Sequence, residues 1–170
     1  HNGKGAVIGQ NPDLCASITA EVKKNAGDKL KIMPKMTYLA HPNEGLVAES
    51  CIKAGADAIC GINTIAGLSE IDPYSLTPKL NTGSKTAAGG ISYDLIRPFG
   101  RLMIANISKA IGKHPVSACG GVSQNLESMV EYLALGANHL QVCTEVMNKG
   151  YRIIDKMKKV LTGYLEETGR

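Results

Sequence analysis

The chain has 170 residues, of which 44% are hydrophobic and 20% are charged, and its formal net charge is +4. These values are typical of one soluble globular unit, and no stretch approaches the ~18 apolar residues of a membrane span or forms a signal peptide. The late lysines read as a solvated helix face, which argues against a nucleic-acid partner: Lys149, Lys156, Lys158 and Lys159.

The cysteines are spaced as isolated thiols, without a CxxC pair or a histidine at metal-binding spacing. The sequence therefore predicts no metal site. An odd number of cysteines, most of them inside apolar stretches, favours reduced and buried thiols in a cytoplasmic protein. The five are Cys15, Cys51, Cys60, Cys119 and Cys143.

Helices and strands alternate along the chain. Asn11 suits an N-cap, Pro12 suits the first helical position, and Gly27 is a typical helix end. Later, the near-continuous apolar run 56–62 is typical of a strand covered on both faces of a parallel sheet. The predicted helices are 12–26, 43–54, 96–111, one that begins between 123 and 126 and ends at 136, and 151–167; the predicted strands are 31–37, 56–62, 89–92, 116–119 and 140–144.

Two details of this assignment concern the middle of the chain. The segment 65–88 contains Asp-Pro, Thr-Pro and glycine punctuation and is expected to be irregular, as in a cover over an active site. The helix 96–111 is expected to turn an apolar stripe toward the core. That stripe comprises Leu95, Phe99, Leu102, Met103 and Ile107.

A weak internal repeat supports a repeated β/α unit. Residues 53–59 and 134–140 share a helix end, a Gly-Ala-Asx joint and the start of a strand. Strands that alternate with helices indicate an α/β fold with a parallel sheet. A complete (β/α)8 TIM barrel needs about 250 residues. Since the chain opens on His1 in what reads as a loop, we expect residues 1–170 to be the C-terminal part of one such barrel domain.

Polar residues follow the predicted strands at their carboxyl ends, the face where barrel enzymes carry their active sites. The most informative is Gly120-Gly121, which follows an apolar strand and precedes a helix. Without Cβ atoms, these residues let backbone N–H groups approach a phosphate, and Thr144 would add a hydroxyl from the next strand. The alternative, equally open on the sequence, is that the two glycines only form a tight turn.

Five motifs occur in the order seen in class 1 dihydroorotate dehydrogenases and dihydropyrimidine dehydrogenases. The chain resembles that family over nearly its whole length, and residues 1–14 and 150–154 resemble most the catalytic subunit of bacterial NAD-dependent dihydropyrimidine dehydrogenase. The motifs are Pro34-Lys35-Met36-Thr37, Ile62-Asn63-Thr64, Gly89-Gly90-Ile91-Ser92, Cys119-Gly120-Gly121-Val122 and Leu140-Gln141-Val142-Cys143-Thr144.

The resemblance implies an FMN-binding barrel. It places Lys35 beside the N1/O2 edge of the flavin, where a cation favours the reduced anionic form, and Ser92 with Tyr93 along the flavin. It assigns the FMN phosphate to residues at the ends of the last two predicted strands. It assigns the polar edges of a pyrimidine to Asn63 and Thr64. The phosphate residues are Gly120, Gly121, Cys143 and Thr144, and Cys119 is a further cofactor-binding residue. On the residues alone, a lysine at a strand end such as Lys35 is usually a solvated charge, and a simple strand-to-loop turn explains Asn63-Thr64 equally well.

The chain also departs from the family pattern. Tyr93 stands where the family usually has glycine, so its side chain could crowd the flavin. The catalytic cysteine of the family belongs to a loop just before His1, and none of the five cysteines takes its position. The resemblance thus places no catalytic residue within 1–170. The iron–sulfur segment that follows the barrel in bacterial dihydropyrimidine dehydrogenase subunits is not in the sequence either.

The implied function is an FMN-dependent oxidoreductase that transfers hydride between flavin and C6 of a pyrimidine, interconverting uracil or thymine and the 5,6-dihydro form. Iron–sulfur clusters and FAD are expected on other segments or on a partner subunit, and the protein is expected to form a homo-oligomer or to bind such a subunit. Two alternatives stay open: a dihydroorotate dehydrogenase, and a non-redox phosphate-binding barrel or scaffold subunit.

Overall fold

The structure is a computed structural model that describes residues 8–38, 43–80 and 88–169. Within these ranges the helices are α1 (Pro12–Ala26), α2 (Asn43–Lys53), α3 (Arg97–Ile111), α4 (Leu126–Ala134), α5 (Thr144–Lys149) and α6 (Ile153–Thr168). The strands are β1 (Ile59–Gly61), β2 (Ile65–Leu68), β3 (Ala88–Ile91), β4 (Val116–Cys119) and β5 (His139–Gln141).

The main sheet is parallel and has the order β1-β4-β5. The segment before it extends this order, because Lys35 forms a parallel bridge with Cys60 and the backbone N–H of Met36 donates to the Cys60 carbonyl at 2.8 Å. The expected strand 31–37 is thus reduced to one bridge residue in an extended segment. Four adjacent parallel segments, each followed by a helix, form the α/β arrangement of a TIM barrel.

Successive helices pack side by side outside this sheet: α1 on α2, α2 on α3, α3 on α4, and α4 on α6. The core lies between the helices and the strands, and its largest buried side chains include Ile59, Ile104, Ile107 and Tyr132. Burying an isoleucine contributes roughly 1.5–3 kcal/mol, so this layer accounts for much of the apolar stabilisation. In α3 the buried positions recur at helical spacing at Met103, Ile104, Ile107 and Ile111.

The predicted start and end of α1 are confirmed. The side chain of Asn11 accepts a hydrogen bond from the backbone N–H of Leu14 at 2.9 Å, and Pro12 occupies the first turn. Gly27 follows the last residue with a φ of 60°. These local signals define the ends of the helix. The Asn11 side chain pairs with a backbone N–H that has no partner within the helix, and Pro12 has no N–H that would need one.

The internal repeat is confirmed in three dimensions. Gly55 and Gly136 have φ values of 101° and 100°, which favour glycine. Asp57 accepts from the backbone N–H of Ile32 at 2.9 Å, and Asn138 accepts from that of Val116 at 3.0 Å. Each Asx side chain therefore ties the start of its strand to the start of the neighbouring one.

The segment 65–88, expected to be irregular, is partly ordered. β2 and β3 pair antiparallel, with Ile65 opposite Ile91 and Leu68 opposite Ala88. The Asp-Pro and Thr-Pro punctuation of this segment favours a loop, yet the pairing of β2 with β3 satisfies the backbone groups of both strands in a hairpin. The expected strand 89–92 corresponds to β3, and residues 81–87 lie outside the described ranges. None of the helices described is long and apolar enough to span a membrane.

Candidate functional site

A cleft of about 270 Å³ opens at the carboxyl ends of the parallel segments. All ten residues predicted for the cofactor and substrate lie along it: Lys35, Asn63, Thr64, Ser92, Tyr93, Cys119, Gly120, Gly121, Cys143 and Thr144. Ile62, Ile96, Val122, Gln141 and Met147 complete the lining. The fold thus brings the predicted residues together from five separate stretches of chain, and what they bind remains a prediction.

Backbone pairing holds the first part of the cleft in place. The N–H of Asn63 donates to the carbonyl of Met36 at 3.0 Å, and the N–H of Ile62 donates to the carbonyl of Cys119 at 2.7 Å. The end of β1 is therefore fixed between the segment that carries Lys35 and the end of β4. The side chains of Lys35, Asn63 and Thr64 stay exposed at this edge.

The two glycines after β4 are required by the turn itself. Gly120 and Gly121 have φ values of 99° and 75°, which other residues rarely adopt. A Cβ on Gly120 would lie 2.6 Å from Ile62, and one on Gly121 would lie 2.5 Å from Arg97. The tight-turn interpretation therefore accounts for both residues, and phosphate binding is a separate prediction about their N–H groups.

Ser92 and Thr144 meet across the cleft, with their hydroxyl oxygens 3.2 Å apart. Next to Ser92, Tyr93 has a φ of 66°, an unusual value for a non-glycine residue. Its hydroxyl donates to the carboxylate of Glu145 at 2.5 Å. This hydrogen bond, together with burial, raises the pKa of Tyr93 to about 12. The phenol at this departure from the family pattern is thus held against the start of α5.

Glu145 is completely buried and sits directly behind the cleft. Burial raises its pKa, but the hydrogen bonds from Tyr93, from the backbone N–H of Gln124 and from Lys149 outweigh it, so the pKa lies below its ordinary value. The carboxylate is therefore ionised at neutral pH. No sequence pattern indicates this residue, because a glutamate in the first turn of a helix is ordinarily an exposed charge that interacts favourably with the helix dipole.

A second cluster of polar side chains lies on the strands of the main sheet. The side-chain amide of Gln141 donates to the hydroxyl of Ser117 at 2.9 Å and to the sulfur of Cys60 at 3.3 Å. Burial, followed by the neighbouring Cys119, raises the pKa of Cys60 to about 11, which leaves it a protonated thiol at neutral pH. Gln141 belongs to the motif of residues 140–144, but its role in the cleft lining depends on contacts with other strands, which no sequence pattern specifies.

The character of the lining fits an amphiphilic anion such as FMN. Among the described residues along the cleft, Lys35 is a cation and none is an acid. Ile62, Ile96, Val122 and Met147 supply an apolar surface suited to a ring, and the hydroxyls of Ser92 and Thr144 can donate to a phosphate. No cluster of metal-binding side chains occurs in residues 8–38, 43–80 and 88–169.

Comparison with known proteins gives a consistent picture. Residues 2–165 match the family model described as dihydroorotate dehydrogenase. The chain is 32% identical to the NAD-dependent dihydropyrimidine dehydrogenase subunit PreA of Escherichia coli (strain K12), over 97% of this chain and 40% of the relative. It is 29% identical to the catalytic subunit of dihydroorotate dehydrogenase B (NAD(+)) of Solidesulfovibrio magneticus, over 92% of this chain and 49% of that relative.

A solved structure shows the same fold. The ligand-free dihydroorotate dehydrogenase of Eimeria tenella superposes with a TM-score of 0.70 at 20% sequence identity, over 94% of this chain and 47% of that one. The expected TIM-barrel architecture is thereby confirmed. The chain spans less than half the length of each of these three proteins.

Proposed function

Since the chain belongs to the dihydroorotate dehydrogenase family, we propose that its cleft binds FMN and that the whole protein is an oxidoreductase acting on the C5–C6 bond of a pyrimidine. One observation carries the proposal: the ten predicted residues, which come from five separate stretches of the chain, line a single cleft. Residues scattered over the surface would not have supported a common ligand.

Each part of the cleft then has a task. FMN, when bound, would supply the capacity to accept and return a hydride. Lys35 would hold a positive charge at the flavin ring, while the N–H groups of the Gly120-Gly121 turn and the hydroxyl of Thr144 would hold the phosphate. Ser92 and Tyr93 would line the flavin, Cys143 would lie at the phosphate, and Cys119 would be a further contact to the cofactor. None of the five cysteines is assigned a proton transfer.

Asn63 is proposed to select the pyrimidine. An amide side chain offers two donors and one acceptor, which matches the alternating N–H and C=O groups along a pyrimidine edge. The hydroxyl of Thr64 would add one further contact. Both side chains are exposed at the cleft, and the backbone of Asn63 is fixed by Met36.

Within the family, a dihydropyrimidine dehydrogenase is the function we favour. The supporting observation is the 32% identity over 97% of this chain to a protein named as a dihydropyrimidine dehydrogenase subunit. Two of the relatives are named as subunits of NAD-dependent enzymes, which supports a partner subunit that uses NAD. We propose that FAD or iron–sulfur clusters, where the enzyme has them, lie on that subunit or on other segments of the protein. The five free cysteines favour a reducing compartment such as the cytoplasm. Dihydroorotate dehydrogenase is the second candidate.

The test uses the full-length protein with its partner subunit. We expect about one FMN per protomer and a flavin absorption band that bleaches on anaerobic addition of dihydrouracil. Bleaching by dihydroorotate alone would assign the second candidate. A full-length protein that neither contains nor takes up FMN would contradict the proposal.

A further inference from the structure

The carboxylate of Glu145 is a shared hydrogen-bond acceptor. Its Oε2 atom accepts from the hydroxyl of Tyr93 at 2.5 Å, and its Oε1 atom accepts from the backbone N–H of Gln124 at 3.1 Å and from Lys149 at 3.0 Å. The group is completely buried. A buried carboxylate is costly unless its oxygens are satisfied, so these donors are needed to keep it there.

The donors come from the segments that form one end of the cleft. Tyr93 follows β3 and is adjacent to Ser92, and Gln124 follows the glycine turn after β4. Glu145 itself follows β5 and is adjacent to Thr144. One carboxylate therefore ties together the ends of three strands, and each tied segment contributes residues to the cleft lining.

Two further observations, a backbone angle and a hydroxyl contact, indicate that this arrangement is specific. Tyr93 keeps its hydroxyl on Glu145 although its φ of 66° is unfavourable for a bulky side chain. In addition, the hydroxyls of Ser92 and Thr144, the immediate neighbours of the bonded pair, lie 3.2 Å apart. The Tyr93 phenol is thus held by the wall of the cleft rather than free to enter its volume.

We propose that Glu145 and Tyr93 are positioning residues, which fix the three strand ends so that the Gly120-Gly121 turn and Thr144 present their donors to the phosphate of FMN. The inference rests on the proposed FMN site and goes beyond it. It assigns a role to a tyrosine at a glycine position of the family and to a buried acid, Glu145, that does not line the cleft. It also replaces the expectation that Tyr93 crowds the flavin.

The experiment measures the affinity of the full-length apoprotein for FMN and for riboflavin, which lacks the phosphate. Tyr93→Phe removes one hydrogen bond to a charged group and retains the ring. We expect FMN binding to weaken about tenfold, the effect typical of such a bond, while riboflavin binding changes less than twofold. The preference for FMN over riboflavin should therefore fall by about tenfold.

A second variant and a control make the result specific. Glu145→Gln keeps the shape but leaves one acceptor oxygen for donors that used two, so it should reduce the FMN preference in the same direction. Tyr74→Phe removes a hydroxyl from a side chain that is 96% exposed and should change neither affinity. If Glu145→Gln does not fold, Tyr93→Phe decides alone.

The outcomes separate the two proposals. Equal weakening of FMN and riboflavin in Tyr93→Phe would show a merely structural role and overturn the inference. Tighter FMN binding in Tyr93→Phe would support the interpretation that Tyr93 crowds the flavin, and it would also overturn the inference. A wild-type protein that binds neither flavin would instead reject the proposed function, and this inference with it.

Discussion

The hydroxyl of Tyr132 donates a hydrogen bond to the carbonyl of Gly120 at 2.6 Å, and Tyr132, a residue of α4, is completely buried. The first glycine of the turn is therefore oriented by a side chain twelve residues later. Space for this hydroxyl is left by Gly100 in α3, where an added Cβ would lie 2.2 Å from it. A glycine in the middle of a helix, otherwise unfavourable, is explained by this contact.

This relationship predicts a non-additive pair of substitutions. Gly100→Ala should destabilise the wild-type protein by about 2 kcal/mol, because the new methyl group collides with the hydroxyl in a closely packed core. Tyr132→Phe alone should cost about 1 kcal/mol for the lost hydrogen bond. In the double variant the collision is largely removed, so its loss of unfolding free energy should be smaller than the sum of the two single losses by at least about 1 kcal/mol. Urea unfolding of the full-length protein measures all four values, and additive effects would contradict this account.

Local sequence signals predicted most helices well. The cap at Asn11, the proline after it and Gly27 each act on their own helix, so α1 could be placed without knowing its neighbours. The short α5 was missed because six residues do not establish a helical period. The β2–β3 hairpin was missed because its pairing joins residues 20 to 26 positions apart.

It was harder to predict which side chains of a helix face the core than to predict where the helix lies in the sequence. Leu95, Phe99 and Leu102 were expected to point inward, but they are 76%, 43% and 49% exposed. The buried face of α3 is instead centred on Gly100, Met103 and Ile107, and it is selected by the strands and helices against which α3 packs. The predicted site residues did converge on one cleft, since parallel strands deliver their carboxyl ends to the same edge. Glu145 and Gln141 act through partners on other strands, which no local pattern reveals.

The Asp57 side chain predicts a specific acid dependence. Hydrogen bonds from the backbone N–H of Ile32 and from Lys31, with further help from Lys23, lower the pKa of Asp57 from 3.8 to about 2. Since the folded-state pKa is depressed, this stabilisation is complete above pH 4 and is lost as the pH falls to about 2. Asp57→Asn can keep the backbone hydrogen bond, as Asn138 does at the equivalent position of the repeat.

The measurement is the urea midpoint of unfolding of the wild type and of Asp57→Asn at pH 7, 4 and 2.5. The wild type should be the more stable of the two at neutral pH, and its advantage should decrease between pH 4 and 2.5. A difference that is the same at all three pH values would show that the charge of Asp57 contributes nothing to folding.

The exposed thiol of Cys143 reports on occupation of the cleft. Cys143 lies along the cleft and is exposed, whereas Cys60 is buried and has its pKa raised to about 11. N-ethylmaleimide should therefore modify Cys143 in the native full-length protein and leave Cys60 unmodified. FMN at about ten times its dissociation constant should slow the reaction at Cys143 roughly tenfold, because only the free fraction reacts. Peptide mass spectrometry measures the two sites separately, and an unchanged rate at Cys143 would remove it from the FMN site.

Lys35 distinguishes a flavin site from an exposed strand end. Removal of a surface lysine usually changes stability by less than about 0.5 kcal/mol. A cation in contact with the flavin would act differently, because it offsets the negative charge that the ring gains on reduction. At an effective dielectric near 20, two charges at contact distance interact by about 4 kcal/mol. Even half of that energy corresponds to a potential change of about 40 mV in a two-electron couple.

We therefore expect Lys35→Met to lower the two-electron midpoint potential of the FMN-loaded full-length protein by about 40 mV and to leave its urea midpoint nearly unchanged. Lys53→Met is the matched control, because Lys53 lies at the end of α2 and pairs with Glu49, away from the cleft lining. A redox titration of the three proteins measures the effect. Equal midpoint potentials in the wild type and Lys35→Met would show that the lysine exerts no field on the flavin. The proposed placement of the ring beside Lys35 would then have to be abandoned, even if FMN binds elsewhere in the cleft.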